Sequence, residues 1–160
     1  MKSIGLNTSE VRTSAEGPAF KLGERCSSVA NEREYIYVEA DEAITSGNAV
    51  LIHEDYGAEQ IDSTSSAPGA GQGMPAGLAV ATIASGGFGW VQVKGPGDVN
   101  LNTGTSCAVH TQLTSSATAG QLDDATTAGL EVIDGFVTTG AEASNLATCM
   151  LNYPTVGRTL

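Results

Sequence analysis

The sequence predicts an all-β fold, and three observations predict it. Short runs rich in β-branched and aromatic residues recur along the 160-residue chain. Gly, Pro, Ser and Asn punctuate the gaps between them. No segment sustains a 3.6-residue apolar period bounded by caps. Many short strands separated by turns build sandwiches and barrels. The expected architecture is therefore a small β-barrel or β-tulip-like sandwich with an extended N-terminal arm.

The elements follow in order. Residues 1–18 are polar, with Ile4, Leu6 and Val11 at no regular spacing, and read as an extended arm. Pro18–Gly23 can begin a strand, and residues 23–33 read as turn or loop. Glu34-Tyr35-Ile36-Tyr37-Val38-Glu39-Ala40 is the strongest strand signal. It places Tyr35 and Tyr37 on one face and Ile36 and Val38 on the other. Ala49–His53 is a short apolar strand, and 63–76 is a loop carrying Pro68, Gly69, Gly71, Gly73 and Pro75. Gly77–Ala84 and Phe88–Lys94 read as a hairpin through Ser85-Gly86-Gly87. Further strands are expected at Cys107–His110, Leu130–Val137 and Leu146–Tyr153. The chain thus divides into an N-terminal segment, 1–33, and a body, 34–160.

An internal echo runs through the body. ITSGNAVLIH at 44–53 aligns with LNTGTSCAVH at 101–110, placing Gly47 over Gly104 and His53 over His110. Gln60-Ile61-Asp62 recurs as Gln121-Leu122-Asp123, and Gly77-Leu78-Ala79-Val80 as Gly129-Leu130-Glu131-Val132. The expectation is two duplicated β-motifs, about 34–98 and 99–160, whose sheet faces close on each other. Gly47 and Gly104 precede apolar strands, where a turn or bulge needs positive φ.

Charge divides the chain unevenly. Residues 1–33 carry five basic and four acidic side chains, whereas 34–160 carry two basic and fourteen acidic ones, within a net charge of −11. An acidic body disfavours nucleic acid and anionic membrane as partners. No apolar run approaches a membrane span, and Met1–Thr13 lacks the apolar core of a secretion signal. Cys26, Cys107 and Cys149 are odd in number and without CxxC spacing, as for free thiols in a reducing cytosol.

Nothing in the residues points to catalysis, a metal or a cofactor. His53 and His110 lack a nearby His/Cys/Asp cluster, and each reads as the end of a repeated strand. Gly69–Met74 misses GxGxxG because Met74 stands where the last glycine belongs, and no Walker lysine follows. Gly104–Ala108 misses GxSxG in the same way. The pairs Asp41-Glu42, Glu54-Asp55 and Asp123-Asp124 lack EF-hand spacing and read as solvated turns.

Glu34–Ala40 followed by Ala43-Ile44-Thr45-Ser46-Gly47-Asn48-Ala49-Val50, and Gly77–Ala81 leading to Gly89-Trp90-Val91-Gln92-Val93-Lys94-Gly95, resemble the small β proteins that decorate the capsids of tailed phages. The resemblance covers about 34–100, with a fainter copy to 152. It implies a structural virion protein seated on the outer capsid surface and made in the host cytoplasm. Its partners would be the major capsid protein and itself, as a homotrimer. The expected capsid-contact residues are Lys2, Ile4, Leu6, Val11, Arg12 and Phe20 on the arm. Phe20 and Leu22 can alternatively supply the first barrel strand, leaving only 1–17 as arm. Tyr35, Tyr37 and Trp90 are the expected oligomer interface. Two rivals have different signatures. A carrier or hammerhead-like domain needs a lysine at a hairpin tip, for which Lys94 is the body's candidate. A glycan-binding adhesin-like module needs clustered exposed rings.

Overall fold

The computed structural model describes residues 6–28, 32–102, 104 and 106–160. These are all-β, and none of them is helical. The nine strands are β1 (Arg25–Ser28), β2 (Arg33–Ala40), β3 (Ala49–Ile52), β4 (Gly57–Gln60), β5 (Ala76–Ala79), β6 (Phe88–Asn100), β7 (Gln112–Thr114), β8 (Glu131–Thr138) and β9 (Leu146–Thr159). They form one sheet in the order β1-β2-β4-β3-β5-β6-β9-β8-β7, and a further pairing of β2 with β6 closes β2, β4, β3, β5 and β6 into a barrel. The second half of β6 leaves the barrel and pairs with β9, from Lys94↔Asn152 to Asn100↔Leu146. β8 and β7 extend that outer sheet.

The strand sequences follow from what each face meets. β3 reads Ala-Val-Leu-Ile and β5 reads Ala-Gly-Leu-Ala, and every residue of both is buried. Val50, Ile52 and Ala79 point into the barrel with Ile36, Val38, Ala40, Val91 and Val93. Ala49, Leu51, Ala76 and Leu78 point outward, into a second core with Val99, Leu113, Leu122, Ile133, Phe136 and Leu151. A strand covered on both sides loses polar alternation and becomes a continuous apolar run. β9 is covered on one side only, and Leu146–Leu151 alternates exposed and buried.

The halves of the barrel are related by an internal two-fold that lies elsewhere than the echo. Ile44 N–H donates to Ile83 O at 2.8 Å, and Ile83 N–H to Ile44 O at 2.9 Å. Around this pair, Gly47 N–H donates to Ala79 O while Gly86 N–H donates to Ala40 O. The register repeats it. Glu39↔Phe88 and Val38↔Gly89 in β2–β6 correspond to Leu78↔Ala49 and Gly77↔Val50 in β3–β5. The motif Ala-x3-Ile-x-Ser-Gly therefore occurs at 40–47 and 79–86, 39 residues apart. Each copy's incoming strand pairs with the other copy's outgoing strand.

The echo of 44–53 in 101–110 agrees only in part. Gly47 and Gly104 both turn with positive φ, at 83° and 88°. Ile44 and Leu101 each form an isolated bridge just before the turn. The following segments differ, because 49–52 is β3 and 107–110 is not a strand. His110 has φ of 62°, and its N–H caps Thr138 O at 2.8 Å. The edge of β8 that a strand there would need is taken by β7.

Three other expectations are corrected. Pro18–Gly23 is not a strand: Gly17 turns with φ of 69°, and Glu24 N–H closes a turn onto Lys21 O. The first strand is β1, inside the segment expected to be loop. The expected pairing of Gly77–Ala84 with Phe88–Lys94 is present as antiparallel β5–β6 (Leu78↔Gln92, Ala79↔Val91), but the connection is longer than a tight turn, because β5 ends at Ala79 and the chain crosses to Ile44 before entering β6.

Candidate docking surface

The segment 6–24 lies along the body as a strap. Arg12 and Phe88 exchange two backbone hydrogen bonds of 2.8 Å, and Ala19 N–H donates to Tyr37 Oη at 3.1 Å. Phe20 sits 5.3 Å from the Tyr37 ring in edge-to-face geometry and 5.2 Å from Trp90. Leu6 and Leu22 pack on the same aromatic cluster. The spacings are those at which aromatic pairs attract.

This arrangement locates the expected contact residues. Tyr35, Tyr37 and Trp90 are buried, at 4%, 1% and 2% exposure. The cover on that face is the chain's own Phe20, Leu22 and Leu6. Leu6 is partly buried on this cluster, whereas Phe20 packs against two of its rings and is still 37% exposed. Val11 remains exposed at 40%, and Arg12 Nε lies 3.4 Å from Glu10. Lys2 and Ile4 lie outside the described residues.

A second surface was not singled out by the sequence. Met150 on β9 registers with Pro96 on β6 and with Val137 on β8. All three are exposed, so they form one apolar row across three strands. Leu146 and Tyr153 are exposed farther along β9, and Val109 is exposed beside the β8 edge. The alternation of Leu146–Leu151 was the available signal. Alternation names two faces but does not say which one a neighbouring sheet will cover. Here Ala147, Cys149 and Leu151 enter the core, leaving Leu146, Thr148 and Met150 outside.

One end of this face carries a polar cluster. Tyr153 Oη donates to Glu34 Oε2 at 2.7 Å, and Lys94 Nζ donates to Glu34 Oε1 at 3.1 Å. Lys94 also lies 5.6 Å from the Tyr153 ring centre. The Tyr153 hydroxyl first, opposed by desolvation and then helped by Lys94 and Arg25, holds the Glu34 carboxyl below its usual range. Glu34 in return raises the titrations of Lys94 and Tyr153. Lys94 is thus mid-strand and paired, not at a hairpin tip.

The histidines have separate surroundings. His53 Nε2 lies 3.3 Å from Glu59 and 4.0 Å from Asp41, while His110 caps β8. Among the described residues no group of three His, Cys, Asp or Glu side chains converges. The thiols are buried and unpaired. Desolvation pushes Cys149 up to about 12 and Cys26 to about 11, and raises Cys107 as well, the opposite of an activated nucleophile. An open cleft of about 380 Å³ runs between Thr8 and Ser9 of the strap and Leu78, Gln92 and Asp98.

No protein family matches the chain, and no curated protein does. Solved structures match in shape. A chain of "The capsid of Myoviridae Phage XM1" superposes with a TM-score of 0.58 at 15% identity, over 93% of this chain and 98% of that one. "The crystal structure of head fiber gp8.5 N base in bacteriophage phi29" superposes at 0.48 and 11% identity, over 78% of this chain and 98% of that one. The capsid chain shares this all-β fold almost end to end.

Proposed function

We propose that this chain is a structural virion protein that binds the outer surface of a phage capsid and stabilises it. The observation that carries the reading is the common fold with a chain of a phage capsid, matched over nearly the whole length of both. The physical character agrees. A closed barrel gives a rigid body, and fourteen acidic against two basic side chains in 34–160 keep particles apart. Many copies on one particle tolerate modest affinity per site.

The reading is non-enzymatic, with no cofactor, and has three copies meeting around an axis. The paired, mid-strand position of Lys94 disfavours a carrier domain. The exposed rings Phe20, Tyr56 and Tyr153 make no ring contact with one another, which disfavours a glycan platform. Capsid contact is assigned to the strap's outer side, where the side chains of Val11 and Phe20 are exposed, with Leu6 and Arg12 beside them, together with Lys2 and Ile4. Because Arg12 also bridges to Phe88, deleting the strap would disturb the body. Point variants are the cleaner test. Val11→Asp is expected to keep its thermal transition and to lose co-sedimentation with undecorated capsids. Full-strength binding by Val11→Asp would remove the strap from the contact, and failure of the unmodified protein to bind would remove the capsid role.

A further inference from the structure

Of the seven aspartates and seven asparagines in the chain, Asp134 alone precedes a glycine. The backbone nitrogen of a following residue can attack an aspartyl carboxyl. That attack is least hindered where the following residue has no Cβ.

The fold places this dipeptide where the backbone ladders are broken on both sides. Asp134 and Gly135 lie in the middle of β8. Against β7 the register passes from Thr114↔Val132 to Gln112↔Val137. Against β9 it passes from Asp134↔Thr155 to Phe136↔Leu151, leaving Gly135 without a partner residue. A bulge of this kind interrupts the ladder locally. Gly135 turns there with φ of 81°, and a Cβ on it would stand 2.9 Å from Asn152 O and from Pro154 Cα. The bulge itself therefore requires the glycine that exposes Asp134 to attack.

The Asp134 side chain is also unrestrained. It is exposed, Gly135 is partly exposed, and among the described residues the carboxyl makes no hydrogen bond or ion pair. Asp55, Asp62 and Asp123 differ, because each accepts the backbone N–H of the residue two places on. A cleft of about 230 Å³, lined by His110, Thr111 and Gln112, opens onto Asp134 and Gly135 and admits water to them.

We propose that Asp134–Gly135 is a site of spontaneous aspartate isomerisation in the folded protein. Gly135 N bonds to Asp134 Cγ, the Cγ–hydroxyl bond breaks, and the amide proton leaves with the hydroxyl as water. Water then opens the succinimide. Cleavage between N and Cγ restores aspartate. Cleavage between N and the former backbone carbonyl carbon leaves the chain running through Cγ, as isoaspartate, with one added backbone carbon. No oxidant, reductant or cofactor is consumed. The added carbon shifts Ile133 relative to Phe136, both of which are buried in the outer core, so isomerised chains melt at a lower temperature.

The test incubates the full chain at neutral pH and physiological temperature, folded and in guanidinium. The probe is purified L-isoaspartyl methyltransferase with labelled S-adenosylmethionine, followed by peptide mapping. Label is expected to accumulate in the folded chain within several-fold of the unfolded rate, and to map to Asp134. Asp134→Glu, which would need a larger ring, should take up no label in that peptide. Asp134→Asn, which closes the same ring with loss of ammonia, should label faster than the unmodified chain. Unchanged thermal transitions of the fresh variants show that both fold. Label confined to the guanidinium incubation would mean that the fold protects the dipeptide. That result, no label at Asp134 in either state, or equal labelling of Asp134→Glu would each overturn the proposal.

Discussion

Ile44 and Ile83 hydrogen-bond each other's backbones in both directions, at 2.8 and 2.9 Å, and both side chains are 1% exposed inside the barrel. The pair sits on the internal two-fold, so each isoleucine fills the place its counterpart leaves. Ile44→Ala and Ile83→Ala should each cost about 2–5 kcal/mol, as for other buried aliphatic truncations. The double variant should depart from additivity because the sites share one cavity. Urea unfolding of the three variants measures this, and strict additivity would show the pair to be uncoupled.

Gly23 has φ of 79°, and a Cβ there would stand 2.3 Å from the ring of Tyr56. The glycine lets the strap cross that ring. Gly23→Ala should destabilise by about 1–3 kcal/mol from backbone strain plus the clash. Adding Tyr56→Ala should recover the steric part and leave the φ part. Hydrogen exchange at the Gly23 amide, bonded to Tyr37 O at 2.8 Å, should quicken in Gly23→Ala and slow again in the pair. No change in exchange would mean the strap is held elsewhere.

Glu131 is 1% exposed, and it receives hydroxyls from Ser66 at 3.0 Å, Ser115 at 3.2 Å and Thr159 at 3.4 Å. It ties the 63–76 loop to the outer sheet. Glu131→Ala removes the acceptor of the Ser115 and Thr159 hydroxyls, while Ser66 keeps the Asp62 carbonyl, and should cost about 3 kcal/mol, read as a lower denaturation midpoint. Glu131→Gln should cost less, since its carbonyl still accepts. Equal loss in both would show that charge, not hydrogen bonding, matters there.

Two limbs of the pH–stability curve follow from the titrations. Glu34 is depressed in the folded state, so its contribution is present above the ordinary glutamate range and is lost as pH falls through the folded value. Tyr153 and Cys149 are raised, so theirs are present below the unfolded values and are lost as pH rises, toward about 12 for Cys149. Tyr153→Phe removes the main partner of Glu34 and should flatten the acid limb, while Cys149 keeps the alkaline limb steep. Thermal transitions across pH check this. An acid limb unaltered in Tyr153→Phe would detach Glu34 from it.

The sequence made the barrel's strongest strands legible because both signals agreed there. β2 is β-branched and aromatic, and β3 is a short apolar run. It hid the true internal symmetry. Ala40-x3-Ile44-x-Ser46-Gly47 and Ala79-x3-Ile83-x-Ser85-Gly86 match at only a few positions, while the 101–110 segment matches at Gly104 and at the strand-like residues after it. Those later residues take up a turn because β7 already holds the edge of β8. β4 and β7, of four and three residues, are too short for periodicity to register. The candidate surfaces were hidden for a different reason. Whether Trp90 or Met150 faces outward depends on the strap and on β8, which are distant in sequence.

The exchanged strands of the barrel also govern time. β2 cannot close its far edge until β6 has been made, and β3 and β5 must meet around the same Ile44–Ile83 crossing. Neither forty-residue half can therefore shelter its apolar side while waiting for the other. Such a molecule forms slowly, and any opening must break several ladders together, so it also opens seldom. Its lifetime against proteases and heat is then set by an unfolding rate, and outlasts what its equilibrium stability alone indicates.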